Sequence, residues 1–583
     1  MAKENIPIPK LPPWKILVLS NLTPGKGPSG PYSIDRSTFS ELAQKLFPTL
    51  FLTVPDKLGG PLDHRDINLS FESLKDFTPD SVIYQVHSCA NILIFKKLID
   101  DCRSGRISGT ELNSSLKNLS LPPELVTAIE KATRTSSSST PSQAGQKKKE
   151  GKIDNILNML DIDDRSSQTD NPGEGSPDAL NKFMEAVTAG EQSAVAGEDI
   201  DSILRDANAL LAAQLDEILH APAFIDLESS WRELKFLVDC TDFRKGVQLD
   251  VIACSRDDIQ KTLHDKVFHP VWKEGHPPYD LIIIAHEFSR IPPHQEMVEQ
   301  LAELAQSTQT LICAPAGPQF FGISNYDQLS SEVPSVASLI DSAGYENWRA
   351  FRDRPESDWV AFTAGEFALR TYYSQSEVPT KAIPYKEAEN HHYLPWGSGS
   401  IALGALLSQT MTMLGTEELD EIRVNPRLHN MEAVPVKDRH GKCAMQSTPE
   451  VWTGDMQWDM GANGLIPLSS APDTTELRFG SITTIRKDGV SITKALLSAR
   501  ISHIVLHLAE KFGDKSPETL AEILKAGIKA LLIPKSLRPS DNGVRVGFEV
   551  SREKTNAHDF ALSVRLPYPV FGEEITLDIS FTL

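Results

Sequence analysis

Two short runs, Tyr279-Asp-Leu-Ile-Ile-Ile-Ala285 and Thr310-Leu-Ile-Cys-Ala314, are apolar at nearly every position. A strand with one wet face alternates apolar and polar residues. One that is apolar throughout has to be covered on both sides, as in parallel sheets flanked by helices. Residues 294–306 between them have helical spacing, and Val247-Gln-Leu-Asp-Val-Ile-Ala253 is an alternating strand followed by a helix at about 256–266. Strand, helix, strand in this order predicts an α/β architecture around a parallel sheet. Such folds often host enzymes, whose chemistry sits in the turns after the strands. Here those turns read Ala285-His-Glu-Phe and Ala314-Pro-Ala-Gly, which match no nucleophile elbow, no G-x-G-x-x-G and no phosphate loop. The α/β enzyme reading therefore has no supporting motif, and no catalytic, metal or cofactor residue is assigned.

Upstream, Trp14-Lys-Ile-Leu-Val-Leu-Ser20 is a strand, and the Gly- and Pro-rich loop after it contains Gly25-Lys26-Gly27. A phosphate loop would need a glycine five residues before the Gly-Lys pair and a Ser or Thr after the lysine. Ser20 and Gly27 stand there instead, so nucleotide binding is excluded. A helix capped by Asp35 or Ser37 follows, then strands at Thr49–Val54 and 67–71, and helices at about 84–102 and 109–131.

From Thr133 the composition changes to Ser, Thr, Gly and Lys, which cannot bury a core. Residues 133–177 read as a flexible linker holding one island, 152–161, where Ile153, Ile156, Leu157 and Leu160 fall at i, i+3, i+4, i+7. A helix this short needs a surface to fold on. Docking on its own chain and binding in a partner's groove both satisfy that need.

Residues 178–240 are helical and include a hairpin, Gln214 to Val238. Leu211, Leu215, Ile218 and Leu219 precede the break at Pro222, and Leu227, Trp231, Leu234 and Leu237 follow it. Trp231 is the expected core anchor, with Glu228, Arg232, Glu233 and Lys235 towards water or a neighbouring subunit. His391-His392 has no further ligand at recognised spacing, so the segment is read as a packed helix entry. Arg500 and His503 have no orienting third group in sequence and are read as structural. At the C-terminus, three strands alternate strictly through Val544–Val550, Phe560–Leu566 and Ile575–Leu583. A terminal strand leaves an edge that can pair with another chain.

Composition excludes other classes. A net charge of -21 argues against nucleic acid, whose phosphates would be repelled. No window approaches a membrane span, and the N-terminus has no apolar leader region. The six scattered cysteines form no framework and are expected to be reduced, in the cytoplasm.

Several of these stretches also carry a resemblance. His220, Pro222, Phe224, Leu227-Glu228 and Trp231-Arg232 are similar to the entry hairpin of the large (TssC-like) subunit of type VI secretion contractile sheaths. That similarity continues through Trp348, Trp396-Gly397, Gly464-Leu-Ile-Pro-Leu468 and Arg500-Ile-Ser-His503, the last resembling a helix start. Ile34, Phe39, Phe71, Asp76-Phe77 and Pro79 resemble the small (TssB-like) subunit. The resemblance implies a fused sheath protomer: a small αβ domain (1–132), a linker (133–177) and a large-subunit-like region (178–583). It further implies a mixed α/β, α+β fold whose C-terminal strands serve inter-subunit strand exchange. The candidate exchange residues are Trp14, Ile16, Val18, Phe560, Leu562, Val564, Ile575, Leu577, Ile579 and Phe581. The implied partners are further copies in a helical polymer, an Hcp-like inner tube and baseplate proteins. A ClpV-type AAA+ unfoldase, recognising Ile153, Ile156, Leu157 and Leu160, is left open. A phage-tail-like or extracellular contractile particle is the alternative within this class.

Overall fold

The computed structural model describes residues 10–60, 62–104, 106–107, 111, 115–116, 119–128, 194–414, 426–437, 443–513, 515–532, 545–551, 559–566 and 569–582. The linker and the 152–161 island lie outside them.

The first part of the chain forms strands β1 (Trp14–Ser20), β2 (Ser29–Ile34), β3 (Thr49–Pro55) and β4 (His64–Ser70), with helices α1 (Phe39–Leu46), α2 (Pro79–Gln85) and α3 (His87–Arg103). Helices α4 (Ala194–Leu219) and α5 (Pro222–Cys240) make the expected hairpin. Beyond it come β5 (Val247–Ala253), β6 (Leu281–Ile284), α6 (Pro292–Thr308), β7 (Leu311–Pro315), β8 (Val360–Ala364), β9 (Glu366–Ala368), β10 (Trp396–Ser398) and α7 (Gly399–Met413). The remainder holds β11 (Arg427–Leu428), β12 (Val434–Lys437), β13 (Cys443–Gln446), β14 (Leu465–Ser470), β15 (Leu477–Phe479), α8 (Ile492–Phe512), α9 (Pro517–Leu532), β16 (Arg545–Ser551), β17 (Asp559–Arg565) and β18 (Thr576–Thr582).

The main sheet has the order β11-β15-β14-β8-β7-β6-β1-β5-β2. Its middle six strands, from β14 to β5, are parallel. Strand β1 lies between β5 and β6, with Ile16 opposite both Leu249 and Leu281. An inner strand of the sheet therefore comes from the first twenty residues, while both its neighbours come from more than two hundred residues later. Its two faces enter different cores. Trp14, Ile16 and Val18 pack with the α5 and α7 side, whereas Leu17 and Leu19 pack with α6 and the segment around Phe320 and Trp348. Such double cover is what the unbroken apolar runs require. Helix α7 lies so close to the sheet that a Cβ on Gly404 would overlap the Ile283 side chain.

The α4–α5 hairpin is the seam between the N-terminal part and the rest. Trp231 is buried, donates through Nε1 to Leu22 O at 3.1 Å and meets Phe39 edge-on at 6.0 Å. Phe224 packs against the stacked pair Phe71 and Phe77, and the Gln214 side chain bonds Lys57 N and Pro55 O. One continuous apolar cluster runs from Trp14 to Leu577, so residues 10–128 share their core with the rest of the chain.

Two expectations are corrected here. Glu228 and Glu233 are buried instead of facing water. Glu228 accepts from Arg232 Nε at 2.7 Å and Arg370 Nε at 3.0 Å, and Glu233 accepts from Ser398 N at 2.5 Å. Buried carboxyls persist where donors meet them. Arg500 and His503 lie in the middle of α8, not at a helix start.

Candidate functional site: a free sheet edge and a crevice at the strand ends

The three C-terminal strands form an antiparallel sheet in the order β16-β17-β18. Leu562, Val564, Ile575 and Leu577 are buried, and Ile579 packs on the same core. Phe560 and Phe581 sit opposite each other in the register of β17 and β18. Among the described residues, β18 is paired on one side only, by β17. Strand β17 has both edges used, and so has β1. Trp14, Ile16 and Val18 therefore have no free edge to offer a second protomer. Their alternation, read as a donor strand, is satisfied inside the chain. Of the candidate exchange strands, the one carrying Leu577, Ile579 and Phe581 keeps an open edge. Ile153, Ile156, Leu157 and Leu160 lie outside the described residues.

Strand β1 is fastened at its start. Asp280, just before β6, accepts from Lys15 N at 2.9 Å, contacts His503 Nδ1 at 2.9 Å and pairs with Arg500 Nη1 at 3.3 Å. Arg500 also donates to the Pro13 and Pro12 carbonyls and stacks over Trp14, while His503 Nε2 meets Thr308 O at 3.0 Å. Asp280 is the third group missing from the sequence reading, and Asp280, Arg500 and His503 are all buried, each in a structural contact. Burial opposes ionisation of Asp280, but Arg500's charge and the His503 hydrogen bond hold its carboxyl below the ordinary range. Similarly, Glu387 accepts from both terminal nitrogens of Arg370, at 2.7 and 3.0 Å, and sits 3.3 Å from His220 Nε2. Burial would raise its pKa, yet His220 and Arg370 hold it at about 2.

The far end of β1 is different. Counting the parallel strands by chain order, β5, β1, β6, β7 and β8 read 2-1-3-4-5, so the connections change direction between β1 and β6. Crevices at that point, beyond the carboxyl ends of the strands, are the usual ligand position in doubly wound sheets. A cavity of about 600 Å³ lies there, lined by Asn21 after β1, His286 and Glu287 after β6, Glu366 after β8, and Glu233, Asp327, His391 and His392. Burial pushes Glu233 up to about 8, against the pull of its Ser398 hydrogen bonds. Burial and then the charges of Glu287, Glu233 and Asp327 push Glu366 well above the carboxylate range. Burial, helped by Arg256, lowers His286 to about 4. Asp327 was missed in the sequence because it lies 64 residues before His391, and no local spacing links them. The turns after β6 and β8 were the readable signal: charged residues within three positions of fully buried strands.

Two parts of the chain match known families. Residues 201–486 match the family VipB, described as EvpB/VC_A0108, tail sheath N-terminal domain. Residues 11–133 match the family described as Type VI secretion system, VipA, VC_A0107 or Hcp2. The type VI secretion system sheath protein TssC1 of Pseudomonas aeruginosa is 22% identical over 343 residues, which cover 54% of this chain and 68% of that protein. Among solved structures, a sheath tail protein from Desulfitobacterium hafniense matches at 8% identity and a TM-score of 0.28, covering 56% of this chain and 59% of its own. The anti-feeding prophage helical sheath in its contracted state matches at 11% identity and a TM-score of 0.30, covering 58% and 75%.

Proposed function

We propose that this chain, whose residues 11–133 and 201–486 match the small- and large-subunit sheath families, is a structural sheath subunit whose copies polymerise helically through the edge of β18 that is open among the described residues. Supporting this reading is the outer side of β18, which is unpaired among the described residues, whereas β1 is paired on both sides. Main-chain hydrogen bonds to a strand from a neighbouring copy would complete that edge. They would also link protomers flexibly enough for the array to repack without dissociating.

In this reading the polymer surrounds an Hcp-like inner tube, sits on baseplate proteins in the cytosol, and does work by repacking. Each protomer moves from an extended to a more favourable contracted arrangement, and small free-energy differences sum along the polymer. No bond chemistry is required. No described helix is long and apolar enough to cross a membrane. Ile153, Ile156, Leu157 and Leu160 are assigned to recognition by a ClpV-type unfoldase. Binding of a 150–163 peptide to such an unfoldase, lost when Ile156 and Leu160 become Asp, tests that assignment. Negative-stain microscopy of the purified full chain tests polymerisation. Long hollow tubes are expected, and particles that stay monomeric at every concentration would overturn the reading.

A further inference from the structure

At the rim of the crevice, Asp327 meets two histidines that follow one another in the chain. Its Oδ2 lies 3.4 Å from His391 Nε2 and 3.4 Å from His392 Nε2. One ligand atom from each of the three residues falls within a sphere of contacts no longer than 4.8 Å. In a tetrahedral zinc site with bonds of ~2.05 Å, neighbouring ligand atoms are about 3.3 Å apart, and both Asp327–His separations match that spacing. Asp327 Oδ1 and His391 Nε2 are buried and lack a hydrogen-bond partner. Buried polar atoms normally have one.

The backbone holds this arrangement from both sides. Asn325 and Gln328 cap the turn that carries Asp327, and Tyr326 OH donates to Ala316 O. On the other side, Asn390 Oδ1 accepts from His392 N at 3.1 Å, and Trp396 Nε1 donates to His391 O at 2.8 Å. The side chains of Glu287, Glu366 and Arg256 line the same cavity. Two imidazole nitrogens and one carboxylate suit borderline transition metals, while calcium and magnesium prefer all-oxygen shells.

We propose that Asp327, His391 and His392 bind a divalent transition-metal ion of the zinc class, with a coordination position left facing the crevice. The ion would clamp the loop leading into β10 to the turn following β7, and so fix the mouth of the crevice. The site is independent of the sheath reading, since it needs only one chain.

The test uses the untagged full chain, stripped with a chelator and titrated with Zn2+ by calorimetry and with Co2+ by visible absorption. One equivalent per chain is expected, with a tetrahedral-type Co2+ spectrum. Asp327→Asn and His392→Gln should each weaken binding by roughly 100-fold or more. His264→Gln, at an exposed His–Asp pair elsewhere, should change nothing. His392 is partly exposed, so His392→Gln keeps the test decisive if Asp327→Asn fails to fold. Equal binding by the wild type and His392→Gln, or only a weak octahedral Co2+ spectrum in the wild type, would overturn the proposal.

Discussion

Strands β1 and β18 are both seven residues long and both contribute to the same apolar cluster, yet among the described residues β1 is hydrogen-bonded along two edges and β18 along one. The difference teaches which connections the protomer has closed and which it leaves for neighbours. At β1 the chain has joined its N-terminal part to the large parallel sheet, and at β18 one edge carries main-chain groups unpaired among the described residues. If that division is right, damage at β1 should act on folding and damage at β18 on assembly.

The largest effect is expected at Leu17, fully buried on β1. Leu17→Asp places an unpaired carboxylate between the sheet and α6, costing roughly 4 kcal/mol or more. Loss of soluble protein on expression is the readout.

Next comes Arg500→Met, on α8 against the start of β1. Asp280 would keep its burial and lose its main counter-charge, for a cost of about 3 kcal/mol, measured by denaturant unfolding at neutral pH. The sign with pH follows from the depressed Asp280 pKa. Its stabilisation is present above the ordinary aspartate range and is lost as pH falls through the lower folded value. The wild type should therefore lose its advantage over Arg500→Met in acid.

At the other end of β1, Glu233→Gln should act in the opposite direction. The Glu233 carboxyl is raised to about 8, so its contribution is full below the ordinary glutamate pKa and declines as pH rises towards the folded value. Gln keeps an oxygen for the Ser398 N–H and cannot ionise. It should match the wild type near pH 5 and exceed it by roughly 1–3 kcal/mol near pH 8, seen as a higher Tm only at the alkaline end.

The smallest effect on stability, and the sharpest on assembly, belongs to β18. Successive N–H groups of a strand point to opposite edges, so proline at Asp578 and, separately, at Ile579 removes one inward and one outward donor. The outward-facing variant should keep the monomer's stability within about 1 kcal/mol while abolishing filaments in sedimentation. Filaments unaffected by either proline would break the comparison.

Local pattern carried much of this fold. The apolar runs around β6 and β7, the alternation of β17 and β18, and the helix-break-helix anchored by Trp231 all stand where spacing put them. Partners distant in sequence were not legible. Nothing in Trp14–Ser20 says that it inserts between β5 and β6, because strand order is decided by which apolar faces meet after the chain has looped back. The burial of Glu228 and Glu233 was hidden for the same reason, since their donors Arg370 and Ser398 come from far along the chain. Asp327 likewise meets His391 and His392 only once β7 and β10 are in place.

Amide hydrogen exchange, compared between monomer and polymer, separates the two strands. Amides of β1 should be slow in both states, and the outward amides of β18 should slow only on polymerisation. Protection of β1 that appears only on assembly, or a β18 that exchanges equally fast in monomer and polymer, would contradict the account.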